Sequence, residues 1–325
     1  MRATICGLCV AINRAMGGGA ADGSVDGAAD VVWQDRAVGS LAVPDMPYGV
    51  AVAVGYDEAI WDEAIWIEQV YSDPEGMPIC RFQISGDGRL VLSESVAGLA
   101  WSDLYGLFTE PVMRTVLSRL ELVSFHAAAL VKQDAAILIM GQKGAGKSTL
   151  SAALTLAGWQ PIADDLVRIV ERNGQCLATA GGTVPRVNAD TARALGFDPA
   201  TLATRWTNPR AAGNKFVLPA PAAGTLPSEV PIRAVLLLDP RGPNLETADW
   251  RRLAGARALP GLVANLTPDP LNLSARPTRD AMRLIGGLLR QAEICRVCLP
   301  DRLDMLITTA AVVDARFAEG GCVAA

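Results

Sequence analysis

Alternating apolar and polar positions dominate the first third of the chain. Cys80-Arg-Phe-Gln-Ile and Arg89-Leu-Val-Leu-Ser both alternate, and they flank the turn residues Gly86-Asp87-Gly88. A period of two puts one set of side chains on a buried face, and a glycine turn between two such runs is typical of a β-hairpin. Residues 48–55 form another strand-like run. We therefore predict a β-rich N-terminal domain over residues 1–112, smaller than the domain that follows it.

The pattern changes beyond residue 112. Helical apolar spacing over residues 110–122 predicts a helix that leads into a second domain, and the same spacing predicts a helix at 278–292. Short, continuous apolar runs in between are typical of strands buried on both faces. These strands are predicted at residues 122–130, 135–140, 160–163 and 234–239. The fold class we expect for residues 113–325 is α/β, with a sheet flanked by helices.

Three segments fit neither pattern. Residues 17–29 have the composition of a flexible glycine loop, and residues 202–228 are rich in Pro, Gly and Ala, as irregular active-site loops often are. Asp-Glu-Ala-Ile-Trp occurs at 57–61 and again at 62–66. We interpret this repeat as a local duplication whose Trp61 and Trp66 pack in the core or at its rim, with docking of a partner as the alternative.

A phosphate-loop motif gives the chain its clearest chemistry. The template G-x-x-x-x-G-K-[ST] is filled by Gly141, Gln142, Lys143, Gly144, Ala145, Gly146, Lys147, Ser148 and Thr149. A predicted buried strand precedes the motif and a good helix opening follows it, which is the context that such a loop requires. The backbone N–H groups converge on phosphate oxygens, Lys147 neutralises the outer phosphates, and the Ser148 hydroxyl is a ligand for Mg²⁺. The sequence therefore predicts binding of ATP with Mg²⁺.

The composition of the chain narrows the kinds of partner and location that are expected. Half of the 325 residues are hydrophobic, 19% are charged and the net charge is −5, which is typical of a globular protein without a nucleic-acid partner. No apolar stretch reaches the ~18–20 residues of a membrane helix, so no membrane association is expected. The apolar N-terminus could be a signal peptide or a first strand. We favour the strand and a cytoplasmic protein, because an ATP-using site belongs there.

Two carboxylates follow the predicted strand at 160–163. Asp164 and Asp165 could face the triphosphate, one holding Mg²⁺ and the other accepting a proton from an attacking hydroxyl. The alternatives are an acidic turn or a helix N-cap at Asp165. His126 is the only histidine, and a lone histidine is usually structural. A hairpin turn at 132–134 would nevertheless bring it near the triphosphate pocket.

Cysteine spacing raises the question of a zinc site. The seven cysteines include two C-x-x-C pairs, Cys6 with Cys9 and Cys295 with Cys298, whose four thiolates could hold zinc if the chain ends met. Both pairs stand in alternating apolar runs, where cysteine behaves as a small hydrophobic residue. We therefore predict free thiols.

Taken in order and spacing, these motifs resemble the HPr serine kinase-like proteins. The resemblance rests on His126-Ala, on the loop at 141–149 and on Ile162-Ala-Asp-Asp, and extends more weakly through Gly182-Thr-Val-Pro-Arg-Val, Asn214-Lys-Phe and Leu238-Asp-Pro-Arg. It covers roughly residues 115–245. It implies a P-loop kinase domain of the HPr kinase and phosphoenolpyruvate carboxykinase-like type, which phosphorylates a serine of a protein or peptide.

The resemblance also implies roles for individual residues. Asp164 matches the acid that takes the serine proton, and Asp165 would help to position metal or phosphate. His126 would lie beside the transferring phosphate, and Lys215 or Arg186 would supply positive charge where negative charge develops. Members of the family often form oligomers, so a homo-oligomer is among the expectations.

The chain also departs from the family. It lacks the Glu-Ile-Arg-Gly segment through which HPr kinases contact HPr, so we expect a different acceptor. The chain most resembles lasso-peptide precursor kinases. Three alternatives stay open: a small-molecule hydroxyl kinase, a non-catalytic nucleotide-binding module, and a transporter-type ATPase with Asp239 at the metal-binding strand end. A transporter-type ATPase needs a Leu-Ser-Gly-Gly-Gln signature and a Glu after the metal-binding Asp, and the chain has neither.

Overall fold

A computed structural model of the protein describes residues 1–14, 29–38, 50–56, 65–72, 77–181, 186–205, 215–219, 227–267 and 276–317. Backbone contacts divide the chain into two compact units. The first is formed mainly by Met1–Leu122, and the second by described residues from Val123 onward. The domain boundary that we placed between residues 112 and 113 falls inside a helical segment of the first unit.

The described residues of the first unit form seven strands and one helical segment. The strands are β1 (Arg2–Ile5), β2 (Leu8–Arg14), β3 (Val31–Val38), β4 (Val50–Tyr56), β5 (Ile65–Ser72), β6 (Pro78–Ile84) and β7 (Leu90–Val96). They form one sheet in the order β1-β2-β3-β7-β6-β5-β4. Strands β6 and β7 pair antiparallel, with Cys80 opposite Ser95, which confirms the predicted hairpin. The predicted strand at 48–55 is present as β4.

The helical segment packs on this sheet through aromatic rings. It runs from α1 (Trp101–Leu107) through a π-helical turn (Phe108–Val112) to α2 (Met113–Arg119), so it begins and ends earlier than the predicted helix. Pro111 lies in the π-helical turn, where its missing N–H fits a break in the regular hydrogen-bond pattern. The buried Trp33 ring stacks on Phe108 at 4.0 Å and on Trp101 at 5.1 Å between ring centroids.

Several predicted features lie outside the described residues. They are most of the glycine loop at 17–29, residues 57–64 of the tandem repeat, and residues 206–214 and 220–226 of the Pro/Gly/Ala-rich segment. The repeat's last two residues, Ile65 and Trp66, begin β5.

Twelve further strands lie in the part of the chain from residue 123 onward that the structure describes. They are β8 (Ser124–Phe125), β9 (Ala127–Lys132), β10 (Ala135–Gly141), β11 (Gln160–Ala163), β12 (Val167–Arg172), β13 (Gln175–Thr179), β14 (Arg186–Val187), β15 (Thr204–Arg205), β16 (Lys215–Val217), β17 (Glu229–Leu238), β18 (Asp249–Leu253) and β19 (Glu293–Cys298).

The helices of this part are α3 (Lys147–Leu156), α4 (Ala189–Ala194), α5 (Leu259–Ala264), α6 (Arg276–Gln291) and α7 (Leu306–Phe317). Short 3-10 turns occur at Pro199–Thr201, Gly255–Arg257 and Leu303–Met305. The helix predicted at 278–292 is thus confirmed as α6.

The long strand β17 organises the second unit. Along one edge it pairs in parallel with β10. Its first residues pair antiparallel with β13, while residues from Ala234 onward pair in parallel with β19. Every residue of β10 is buried, as its continuous apolar run predicts. Leu138 and Met140 face a core with α6, whereas Ile137 and Ile139 face the core of α3 and α7. The unit is therefore mixed α/β, with helices on both faces of the sheet.

The predicted hairpin is confirmed, and one predicted strand differs from the structure. The antiparallel hairpin of β9 and β10 is confirmed, but the strand predicted at 122–130 is broken at His126, which separates β8 from β9. The strand that follows the phosphate-loop helix, β11, pairs with β9 and not with the loop strand β10. The acidic pair at its end therefore lies one strand further from the loop than direct pairing would place it.

Candidate functional site

Left-handed glycines shape the phosphate loop between β10 and α3. Gly144 and Gly146 have φ of +90° and +106°, which side chains rarely adopt. Gly141 has φ of +155°, and a Cβ built there would lie 2.9 Å from the carbonyl oxygen of Leu238, so the neighbouring strand also requires glycine. No side chain among the described residues caps the N-terminus of α3. The first N–H groups of the helix are thus available to an anion.

Individual loop residues differ in exposure. Gln142, Lys143 and Gly144 are exposed, Ala145 and Gly146 are buried, and Ser148 and Thr149 are half-buried. The Thr149 hydroxyl lies 3.5 Å from that of Thr191. The backbone conformation and the uncapped helix fit a bound triphosphate, and the half-exposed Ser148 hydroxyl fits the role of an Mg²⁺ ligand.

Lys147 is buried at the base of the loop. Its Nζ donates a 2.6 Å hydrogen bond to the carbonyl oxygen of Gly141. Burial lowers the pKa of Lys147, the carboxylates of Asp165 and Asp164 act in the opposite direction, and Lys215 lowers it further. Both acids of the predicted pair therefore lie within electrostatic range of the Lys147 ammonium.

The acidic pair sits in a turn at the end of β11. Asp164 is buried, and its carbonyl oxygen accepts a hydrogen bond from the N–H of Leu166. Asp165 has φ of +63°, an uncommon conformation for a residue with a side chain. Strand β12 begins two residues later. The alternative that Asp165 caps a helix is wrong, because the chain enters a strand.

Cations surround the Asp165 carboxylate. Its Oδ1 lies 3.8 Å from His126 Nδ1, and its Oδ2 lies 3.9 Å from a terminal nitrogen of the buried Arg186. Burial by itself would raise the pKa of Asp165, but the charges of His126, Lys215, Arg186 and Lys147 outweigh it and hold that pKa below its usual value. Asp165 is therefore ionised at neutral pH.

Two short strands bring the basic residues to this position. Arg186 lies in β14, which pairs antiparallel with β16, and Lys215 is the first residue of β16. Both residues were predicted from the sequence resemblance, and the structure brings both into electrostatic range of Asp165. Residues 182–185, which the resemblance also included, lie outside the described residues.

His126 lies at the break between β8 and β9. Its Nδ1 is 3.1 Å from the carbonyl oxygen of Asp165, so the ring is held against the turn of the acidic pair. Its backbone N–H donates to the carbonyl oxygen of Asn265 at 2.8 Å. The side chain is half-buried, with 34% exposed. The structure thus forms one charged cluster beside the loop, which we call the loop cluster; its members are His126, Lys147, Asp164, Asp165, Arg186 and Lys215.

Two residues that sequence reasoning did not assign also contact the loop. Arg241 follows β17, and its terminal nitrogens lie 3.5 Å from Thr149 Oγ1 and 3.5 Å from Asp301 Oδ1. Asn265 follows α5 and accepts a hydrogen bond from the N–H of Gly141. Arg241 carried a usable signal, because it stands after the strand that flanks the loop. An asparagine at the end of a short helix is common and gave none.

One C-x-x-C pair lies where the first two strands meet, and the other lies in the last strand that the structure describes. Cys6 and Cys9 lie at the β1–β2 turn and in β2, and Cys295 and Cys298 lie in β19. Among the described residues, no group of three or more His, Cys, Asp or Glu side chains is arranged to hold a metal ion. Mg²⁺ commonly uses one or two carboxylates together with substrate phosphates, so it does not need such a group. None of the described helices is long and apolar enough to cross a membrane.

Comparisons with known proteins add little. No family model matches the chain, and no curated protein matches it. Among solved structures, the HPr(Ser) kinase/phosphatase from Coxiella burnetii matches 61% of this chain and 99% of that chain. Its sequence identity is 17% and its TM-score is 0.30. A likeness at this level carries no argument about activity, and the function has to be inferred from the site itself.

Proposed function

We propose that the protein is an ATP-dependent phosphotransferase that moves the γ-phosphoryl group of ATP to a serine hydroxyl of a peptide or protein. The observation that carries this proposal is the loop cluster, in which the buried Asp164 and the half-buried Asp165 meet basic side chains at the base of a phosphate loop. A module that only binds nucleotide needs the loop but has no use for Asp164. The pair therefore favours catalysis.

Each residue has a defined task in this proposal. The loop N–H groups hold the phosphates, and Asp164 accepts the proton of the acceptor hydroxyl as the hydroxyl oxygen attacks the γ-phosphorus. The bond from the γ-phosphorus to the β–γ bridging oxygen breaks, and ADP leaves. Lys147, with Arg186 or Lys215, stabilises the negative charge that spreads over the phosphoryl oxygens. Ser148 and the ionised Asp165 would hold Mg²⁺, which neutralises phosphate charge when it is bound. His126 lies beside the phosphate that is transferred.

Contacts of Asp239 speak against a transporter-type ATPase. That alternative needs Asp239 free to bind metal at the end of β17. Arg296 Nε instead contacts both of its carboxylate oxygens, at 2.8 and 2.6 Å. The carboxylate is thus already paired with a cation, and no glutamate follows it in the sequence.

The acceptor is narrowed by the sequence resemblance. HPr is not expected, because the Glu-Ile-Arg-Gly segment is missing from the chain. A lasso-type precursor peptide is the candidate that the resemblance favours. The β-rich first unit is a candidate for holding such a peptide, and we place the enzyme in the cytoplasm, where ATP is available.

Phosphotransfer from γ-labelled ATP tests the proposal. The full chain with Mg²⁺ is offered the short peptides encoded beside its gene and, separately, HPr. We compare wild type, Asp164→Asn and the matched variant Asp280→Asn, whose carboxylate lies half-exposed on α6. We expect label on a peptide serine, lost when that serine is replaced by alanine. Asp164→Asn should reduce the rate about 10²- to 10⁴-fold, the usual worth of a general base, and Asp280→Asn should not.

Two outcomes would overturn it. Nucleotide binding without label on any acceptor would favour a binding module or a small-molecule kinase. Turnover that is the same in Asp164→Asn as in wild type would remove Asp164 from the mechanism.

A further inference from the structure

The strands β9 and β10 separate where the phosphate loop begins. Their antiparallel pairing runs from Lys132 opposite Ala135 to Ala127 opposite Met140. The next pair of this ladder would be His126 opposite Gly141, and it does not form. The break lies between the loop and the histidine that the proposed function places beside the phosphate, so what causes it bears on the chemistry.

Asn265 occupies the gap between the separating strands. Its side-chain Oδ1 accepts from the N–H of Gly141 at 3.0 Å, and its backbone carbonyl oxygen accepts from the N–H of His126 at 2.8 Å. The two N–H groups at the broken rung thus bond to one residue instead of to the opposite strand. Asn265 is buried, with 6% of its surface exposed, so water does not replace these bonds readily.

The amide of Asn265 is fixed on both sides. Its Nδ2 donates to the carbonyl oxygen of Gly261 at 2.8 Å in the preceding helix α5. Gly141 N–H can only donate and Gly261 C=O can only accept, so the oxygen and nitrogen of the amide cannot exchange places. Neither a carboxylate nor a hydrocarbon of the same size satisfies both partners.

Neighbouring backbone contacts hold Asn265 in register with β8. Leu266 forms an antiparallel bridge with Phe125, and the N–H of Thr267 donates to the carbonyl oxygen of Ser124 at 2.9 Å. The segment 265–267 therefore acts as a short partner for 124–126. This pairing draws the His126 backbone away from β10 and leaves its ring against the turn of Asp165.

We propose that Asn265 is a positioning residue of the phosphotransfer site, which fixes the first glycine of the phosphate loop and the backbone of His126 relative to each other. The inference rests on the proposed function for its catalytic meaning. Gly141 is held at its N–H by Asn265 and at its carbonyl oxygen by Lys147. A change at position 265 is therefore transmitted both to His126 and to the peptide that holds Lys147.

The experiment uses the single histidine as a reporter. In the tag-free full chain, the His126 imidazole gives the only histidine ring signals in a proton NMR spectrum, because the sequence holds one histidine. We compare wild type, Asn265→Ala and Asn265→Asp, each without nucleotide and with a non-hydrolysable ATP analogue and Mg²⁺. Asn265→Asp keeps an acceptor for Gly141 but loses the donor to Gly261, so it provides an intermediate case if Asn265→Ala folds poorly.

Gln291 supplies a matched control. Its half-buried side-chain amide also bridges strands, with Nε2 donating to the carbonyl oxygens of Cys176 and Ile232 and Oε1 accepting from the N–H of Cys176. Ile232 lies near the end of β17 opposite to the loop. Gln291→Ala should therefore lower stability as Asn265→Ala does, without reaching His126.

We expect the nucleotide-free His126 signals to move in Asn265→Ala, to move less in Asn265→Asp, and to stay at the wild-type position in Gln291→Ala. Phosphotransfer by Asn265→Ala should lose about 10- to 100-fold in kcat, with a change in ATP affinity of no more than about threefold, because the loss is one of geometry. Unchanged His126 signals in Asn265→Ala, or equal shifts in Gln291→Ala, would overturn the positioning role.

The two proposals fail in different ways. If the wild-type protein binds no nucleotide, the proposed function fails, yet the nucleotide-free spectra still decide whether Asn265 positions His126. If phosphotransfer is observed and Asn265→Ala loses no more in kcat than Gln291→Ala, the proposed function stands and the catalytic meaning of Asn265 is lost.

Discussion

The two ends of the β9–β10 hairpin carry two clusters of charged side chains that differ in balance. At the turn end, Lys132 Nζ donates to Asp314 Oδ1 at 2.6 Å and to the carbonyl oxygen of Ala157 at 3.0 Å, and the indole N–H of the buried Trp159 donates to the same Asp314 oxygen at 2.8 Å. One cation meets one anion there. This group, Lys132, Asp314 and Trp159, is the turn cluster.

The loop cluster at the other end is not balanced. Asp164 and Asp165 face three basic side chains, Lys147, Arg186 and Lys215, together with His126. Lys147 uses a backbone carbonyl oxygen as its hydrogen-bond partner. A surplus of basic groups in a partly buried site is costly for an isolated protein, and an anionic ligand such as a triphosphate relieves it. We infer that the turn cluster serves the fold, whereas the loop cluster serves the proposed nucleotide site.

Replacing Lys147 should have the largest effect on phosphotransfer and should not lower the stability of the fold. We expect Lys147→Met to lower phosphotransfer about 10²- to 10³-fold, because a preorganised charge at the phosphates is lost. Its free energy of unfolding without nucleotide should be no lower than that of wild type, since burial lowers the pKa of Lys147 and so disfavours the ammonium in the fold. Initial rates with labelled ATP and urea titrations measure the two effects.

Arg172→Met is the control for Lys147→Met. Arg172 is an exposed cation that pairs with Glu229, and its removal should change neither quantity appreciably. A large loss of stability in Lys147→Met would mean that this lysine serves the fold as well, and that the two clusters differ less than we infer.

Replacing Asp314 should lower the stability of the fold and leave phosphotransfer unchanged, which is the opposite of the result expected for Lys147. Asp314→Ala leaves Lys132 and the buried indole N–H of Trp159 without their shared acceptor, so we expect the free energy of unfolding to fall by ~1–3 kcal/mol. The kcat of the folded protein should stay as in wild type. Asp314→Asn keeps an acceptor oxygen and should lose less. A lower kcat in folded Asp314→Ala would contradict a purely structural role for the turn cluster.

The smallest predicted effect is the contribution of Asp165 to the free energy of unfolding, which depends on pH. The pKa of Asp165 is lower in the folded protein than in the unfolded chain, where it is near 3.8. Its contribution to stability is therefore present above that unfolded value and is lost as the pH falls through the folded pKa. We expect wild type to exceed Asp165→Asn in free energy of unfolding by about 1 kcal/mol or less at pH 7. The difference should shrink in urea titrations below pH 3.8; a difference that grows on acidification would exclude an ionised Asp165.

The parts that the sequence predicted are those whose signals are local. The phosphate-loop residues are contiguous, so composition and flanking pattern suffice for Gly141 to Thr149. The hairpin of β6 and β7 and the helix α6 follow from alternation and from helical spacing within single segments. The acidic pair Asp164-Asp165 could also be predicted from the sequence, because a short apolar strand directly precedes it.

The rest depends on contacts between distant segments. Asn265 is 124 residues from Gly141, and nothing near it in the sequence indicates a partner. The strand predicted at 122–130 is broken at His126 because Asn265 intrudes, which no local pattern could indicate. The strand β17 likewise pairs with β13 at its beginning and with β19 further along, and both partners lie far from it in the sequence.

The parallel pairing of β10 with β17 also determines when the phosphate loop can reach its final conformation during folding. The β9–β10 hairpin is local and can close early, whereas Gly141 meets Leu238 only after about a hundred further residues have been made and brought back. Until then, the carbonyl oxygen of Leu238 that requires glycine at 141 is absent, and so is Asn265. A chain that ends before Leu238 therefore holds the complete motif without the contacts that position it. If the proposed function holds, nucleotide can stabilise only species that have already passed this late step of folding.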